Sequence, residues 1–194
     1  MTGYYSQYLK RLATSLETAE WTNLEKNNLG PVEGLHMWQT MTQKAAAAGK
    51  SIYFIGNGAS AAMSSHMSAD ATKNGKLKAK CLNDAALTTA ISNDIDYKSV
   101  FSLQLERYAE AGDLLFTISS SGNSPNVIAA IQTAREKKMG VVTLSGMKPG
   151  NASRSLGDLN VYLPADRYGI VESGHQAVLH CWLDNYLNSI GIDM

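Results

Sequence analysis

Six residues, Ser119-Ser120-Ser121-Gly122-Asn123-Ser124, follow the apolar stretch Leu114-Leu115-Phe116-Thr117-Ile118 and open a helical pattern. Four hydroxyls, a glycine and the free amides of a helix N-terminus converge there. This is the layout of an anion-binding turn between a buried strand and a helix. Neutral donors and a helix dipole can hold a dianion without lysine, so phosphorylated metabolites are the first ligands to consider. A second turn of the same kind, Gly56-Asn57-Gly58-Ala59-Ser60, follows Ser51-Ile52-Tyr53-Phe54-Ile55. Its glycines permit close backbone approach, and Asn57 and Ser60 offer hydrogen bonds to a polyol or phosphate. A lone GxG turn also arises for geometry alone. Two such turns in one small domain point to a shared rim of a sheet.

Groups fit for proton transfer or metal binding lie further along. His66 and Asp70 are four apart in a helical stretch and share a face. Glu172, Gln176 and His180 form a polar stripe at the same spacing near the end of the chain, opposite Val171, Val178 and Trp182. Two imidazoles and two carboxylates suit a tetrahedral Zn²⁺ site or a pair of acid–base groups. The same spacing also serves surface ion pairs and caps. His175 falls off the stripe, with packing, an inter-subunit contact and the site itself all open to it. His36, in His36-Met37-Trp38, reads as a partly buried structural residue. Asn93-Asp94 is ordinary turn chemistry unless its loop returns to the same rim.

These groups need elements to hold them. Leu9, Leu12, Leu16 and Ala19 recur at helical spacing, predicting one amphipathic helix over 4–27. A second helix runs from Pro31 to about Ala48. Strands are expected at 51–55, 78–82, 113–118, 141–144 and 159–163, and helices at 59–73, 98–109, 124–138 and 170–189. Five strands separated by helices imply an α/β fold, a three-layer αβα sandwich around a mostly parallel sheet. Such sheets bind ligands at the carboxyl ends of their strands. The chain reads as a single domain over 1–194, with N-terminal helices in 1–48 extending a core in 49–194.

Bulk properties narrow the classes. Of 194 residues, 44% are hydrophobic and 18% charged, with zero formal net charge, an ordinary globular balance. Without a basic block, nucleic-acid binding has little electrostatic footing. No apolar run is long enough to span a bilayer, and Met1-Thr2-Gly3-Tyr4-Tyr5-Ser6-Gln7 lacks a secretory signal's pattern. Cys81 and Cys181 form no metal-type pair or disulfide framework. The expectation is a cytoplasmic protein with neither membrane nor nucleic-acid partners.

These pieces, in this order, resemble the sugar isomerase (SIS) domain family, and within it the phosphoheptose isomerases. The resemblance is carried by the GNGxSA turn at 56–61, Asn93-Asp94, the loop Ser119–Ser124 and the spacing to His180. It implies that Ser119, Ser120, Ser121 and Ser124 hold a sugar phosphate, and that Asn57, Gly58, Ala59, Ser60, Asn93 and Asp94 contact the sugar. It further implies one Zn²⁺ held by His66, Asp70, Glu172 and His180, with Asp70, Glu172 and His180 catalytic. Two positions depart from the family pattern. Asp70 stands where the family has glutamate, and Glu172, which also contacts substrate, stands where it has glutamine. The implied activity converts sedoheptulose 7-phosphate to a heptose 7-phosphate through an enediol, in a cytoplasmic homotetramer with sites at subunit interfaces. Its implied pathway role is heptose supply for lipopolysaccharide or capsule. The competing family reading is a non-catalytic sugar-phosphate-binding regulator or a replication-initiator-binding factor.

Overall fold

A computed structural model describes residues 3–192 of the chain; the two residues at each end of the expected 1–194 domain lie outside the described residues. The helices are α1 (Tyr4–Glu17), α2 (Gly30–Ala47), α3 (Ala59–Lys73), α4 (Ala85–Asp94), α5 (Ser102–Tyr108), α6 (Pro125–Glu136) and α7 (Tyr168–Ser189). The strands are β1 (Glu20–Asn23), β2 (Ser51–Gly56), β3 (Lys78–Cys81), β4 (Leu114–Ser119), β5 (Gly140–Gly146) and β6 (Leu159–Leu163). They form one sheet in the order β1-β6-β5-β4-β2-β3, parallel except for β1.

Alternation along the central strands sorts their side chains to the two faces. Phe54, Phe116, Ile118, Val142 and Leu144 pack on one face with Trp38 of α2, Met67 of α3 and Trp182 of α7. The Trp38 and Trp182 rings stack at 5.4 Å, and Phe116 meets Trp182 edge-on at 5.0 Å. Tyr53, Ile55, Leu115 and Val141 pack on the other face with Leu105 of α5 and with Val127 and Ile131 of α6. Burial on both faces is why these strands read as continuous apolar runs. The helix after β2 therefore leaves to one face and the helix after β4 to the other. These two strands are neighbours, with Gly56 opposite Ile118. Such a switch point opens a crevice between the two strand ends.

The sheet has six strands rather than the five expected. Its sixth lies inside the segment predicted as one helix over 4–27. The α1 helix ends at Glu17, where the Thr18 N–H donates to Thr14 O at 2.9 Å and the Ala19 N–H to Leu16 O at 3.3 Å. Glu20–Asn23 then pairs antiparallel with β6, Trp21 opposite Val161. Trp21 is buried against Gly34, where an added Cβ would lie 2.6 Å from its ring. Four residues are too few for strand alternation to register, so the leucine spacing dominates the sequence pattern.

Two further expectations change. The helix predicted over 98–109 is a 3₁₀ turn, Tyr97–Ser99, followed by the shorter α5. Asn93-Asp94 is not a turn but the last pair of α4, whose N-cap Asp84 accepts from Leu87 N–H at 2.8 Å. No helix among the described residues is long and apolar enough to cross a membrane.

Candidate active site

The crevice at the switch point is a cup of about 150 Å³. Asn57 and Ser60 line it from the glycine turn, Ser119, Ser120, Ser121 and Ser124 from the loop after β4, and Tyr168 and Glu172 from α7. The loop is shaped by Gly122, whose φ of +63° belongs to the left-handed region. A Cβ there would lie 1.9 Å from Asn151 Oδ1. Neighbouring backbone braces it: Gly122 N–H donates to Ser119 O at 2.9 Å, and Ser153 N–H to Gly122 O at 2.9 Å. Ser124 is the N-cap of α6 but makes no capping hydrogen bond with its side chain, and Pro125 occupies the first helical position. Its hydroxyl instead lies 3.4 Å from that of Ser119. Ser120 is 6% exposed, and its hydroxyl has no partner among the described residues. A buried hydroxyl without a partner is costly unless a ligand takes it. Among the described residues no lysine or arginine lines the cup, so an anion there would rely on hydroxyls and the helix terminus.

A second group lies along the same two helices. His66 and Asp70 of α3 and His180 of α7 bring one ligand atom each to within 4.8 Å of one another. His66 Nε2 is 3.4 Å from Asp70 Oδ2, and the two imidazole centroids are 5.2 Å apart. Two imidazoles and a carboxylate suit zinc chemically, leaving a position open. Glu172 does not join them within one chain. It lies eight residues before His180, about 12 Å away along the helix axis, and faces the cup instead. Gln176, between them, turns its amide to Met67, with Nε2 3.2 Å from the sulfur.

Other expected residues lie elsewhere. Gly58 and Ala59 are exposed at the start of α3, outside the cup's lining. Asn93 and Asp94 are exposed and bonded to each other at 2.8 Å, also outside it. His36, expected to be partly buried, is exposed because it falls on the outer side of α2 from Trp38. His175 is fully buried, its Nε2 donating to Ser145 O at 3.0 Å. Burial lowers its pKa to about 4, against the smaller opposing pull of that hydrogen bond.

Two residues at the cup are absent from the sequence reading. Asn126, in the first turn of α6, pairs with Asn57 through two hydrogen bonds of 2.9 Å. Tyr97 donates its hydroxyl to Asn57 Oδ1 at 2.9 Å, so the segment after Asn93-Asp94 does return to the rim, through a different residue. The available signal for Asn126 is its position directly after the helix-opening Pro125.

Comparison with known proteins agrees with this architecture. The model of the SIS domain matches residues 5–146. The chain belongs to the SIS domain family. Glu172 and His180 lie beyond the matched span, on α7. The chain is similar to a phosphoheptose isomerase of Azoarcus sp., 40% identical over 154 residues covering 75% of this chain and 78% of the relative. A phosphoheptose isomerase of Dechloromonas aromatica is 34% identical over 184 residues, covering 91% of this chain and 93% of the relative. Among solved structures, the phosphoheptose isomerase of Neisseria gonorrhoeae superposes with a TM-score of 0.82 at 28% identity, covering 95% of both chains.

Proposed function

We infer that this chain is a sugar-phosphate aldose–ketose isomerase that converts sedoheptulose 7-phosphate to a heptose 7-phosphate through an enediol. The phosphoheptose isomerases are relatives over most of its length. Its own geometry supports the reading through the separation of cup and cluster. Ser60 at the cup and His66 in the cluster are six residues apart on α3, about 9 Å along the axis. An extended ketose 7-phosphate spans about 10 Å from C1 to phosphorus, at roughly 1.25 Å of projected length per bond. A phosphate held by Ser119, Ser120, Ser121 and Ser124 thus presents C1 and C2 to His66, Asp70 and His180. Binding energy from the remote phosphate is spent on that alignment.

Asp70 takes a proton from C1 while the C2 carbonyl electrons move to O2, which His180 protonates. The enediol then passes its O1 proton to His180, restoring it, as Asp70 returns a proton to C2, leaving an aldehyde at C1. Asp70 Oδ2 faces His66, leaving the other oxygen for this transfer. Zinc held by His66, Asp70 and one ring nitrogen of His180 would act as a Lewis acid toward the carbonyl and diol oxygens, leaving the other His180 nitrogen to carry the proton. Glu172 contacts the sugar from α7 and adds negative charge to a cup the ligand also enters with negative charge. Tyr4 and Tyr5 on α1 are each 73% exposed, apolar surface that pairing with other copies in a homotetramer would cover. The proposed setting is the cytoplasm.

The test is conversion of sedoheptulose 7-phosphate by purified protein, before and after chelator treatment and zinc return. An aldose product, lost with the metal and regained with it, is expected. A zinc-loaded protein that binds the ketose phosphate and leaves it unchanged would be a sensor instead.

A further inference from the structure

Asn57 projects from an open glycine turn, where an unrestrained amide could present either its oxygen or its nitrogen to a ligand. It is restrained on both sides. Asn126, 2% exposed, faces it in a closed amide pair: Asn57 Nδ2 donates to Asn126 Oδ1 and Asn126 Nδ2 donates to Asn57 Oδ1. The Val127 backbone N–H donates to Asn126 Oδ1 at 3.0 Å, and a backbone donor demands oxygen there. Asn126 must therefore turn its Nδ2 toward Asn57, and the Asn57 atom facing that nitrogen must be Oδ1. The Tyr97 hydroxyl donates to this same oxygen. Both Oδ1 lone pairs of Asn57 are then occupied by protein, and one of its two amide hydrogens is engaged by Asn126. Asn57 keeps one N–H, on a side chain that lines the cup.

We propose that Asn126 is a positioning residue that, together with Tyr97, holds Asn57 as an obligate hydrogen-bond donor to an oxygen of the bound sugar phosphate. The chain of constraint starts at a helix-terminal backbone amide and ends at the ligand, tying the turn after β2 to the helix after β4. This rests on the isomerase reading, since Asn57 is taken as a substrate contact.

A double-mutant cycle tests it, read as Kd for sedoheptulose 7-phosphate by calorimetry with thermal melts alongside. Asn57→Ala and Asn126→Ala should each raise Kd about tenfold, and the double variant no more than either alone. KM should follow Kd in Asn126→Ala while kcat stays within about threefold. Tyr97 is 53% exposed, so Tyr97→Phe folds even where Asn126→Ala does not. It should raise Kd about threefold, an effect that disappears in the Asn57→Ala background. Effects that multiply in either cycle would show that Asn126 or Tyr97 acts independently of Asn57 and would overturn the positioning role alone. A wild-type protein that binds no ketose phosphate would remove the isomerase reading and this inference together.

Discussion

Ser121 and His180 sit at opposite ends of the proposed site, so their removal should be felt in different kinetic constants. Losing a charge-assisted hydrogen bond to phosphate costs about 1.5–2 kcal/mol, so Ser121→Ala should raise KM roughly tenfold with little change in kcat. His180→Ala removes the proposed general acid and should lower kcat by about 10²–10⁴ with little change in KM. Steady-state kinetics on both variants checks the split; a His180 variant with wild-type turnover would end its catalytic assignment. Much of this scale is legible in the sequence. Hydroxyls clustered after an apolar run, and His and Asp spaced by four, declare their shared location through local geometry. Asn126 and Tyr97 do not, because their partner is 69 and 40 positions away in the chain. Only the switch point brings them together. Glu172 shares the helical stripe with His180, yet eight residues of rise carry it to the cup within one chain, a separation that the spacing by four does not display.

At the scale of elements, α7 is the part that holds the two ends in register, since it bears both Glu172 and His180. Trp182 packs edge-on against Phe116 of the sheet and ties α7 to α2, its indole N–H donating to Thr42 Oγ1 at 3.0 Å. His175 anchors it to the end of β5 through Ser145 O, with its other ring nitrogen buried and without a partner among the described residues. A histidine held neutral in the folded state, with a pKa near 4 against 6.5 when unfolded, stabilises the fold above pH 6.5. Below that the unfolded chain takes up the proton first, and the contribution is lost as pH falls through about 4. The loss is on the order of 3 kcal/mol. Urea unfolding of wild type and His175→Gln between pH 7 and 4 should show a steeper loss for wild type; parallel curves would contradict this role. Elements buried on both faces are legible as long apolar runs, as β4 and β5 illustrate. Short elements stabilised by pairing are not, and β1 and the Tyr97–Ser99 turn were hidden within helical spacing.

The whole molecule is a parallel sheet whose helices part to opposite faces between β2 and β4, and the cup follows from that topology. Its layered architecture was legible because strand and helix periods alternate along the chain. The antiparallel edge was not, since it forms only when the N-terminal segment folds back onto β6. The same topology carries α3 and α7 away from the cup side by side, so their His and Asp side chains meet about one extended sugar phosphate from the serines. On the proposed function, this arrangement moves a proton between the first two carbons of a phosphorylated ketose. NMR of sedoheptulose 7-phosphate incubated with the zinc-loaded protein in D₂O tests it most directly. An aldose signal accompanied by deuterium at C1 or C2, both absent with Asp70→Asn, is the predicted result; bound ketose that stays unconverted and fully protonated at both carbons would contradict it.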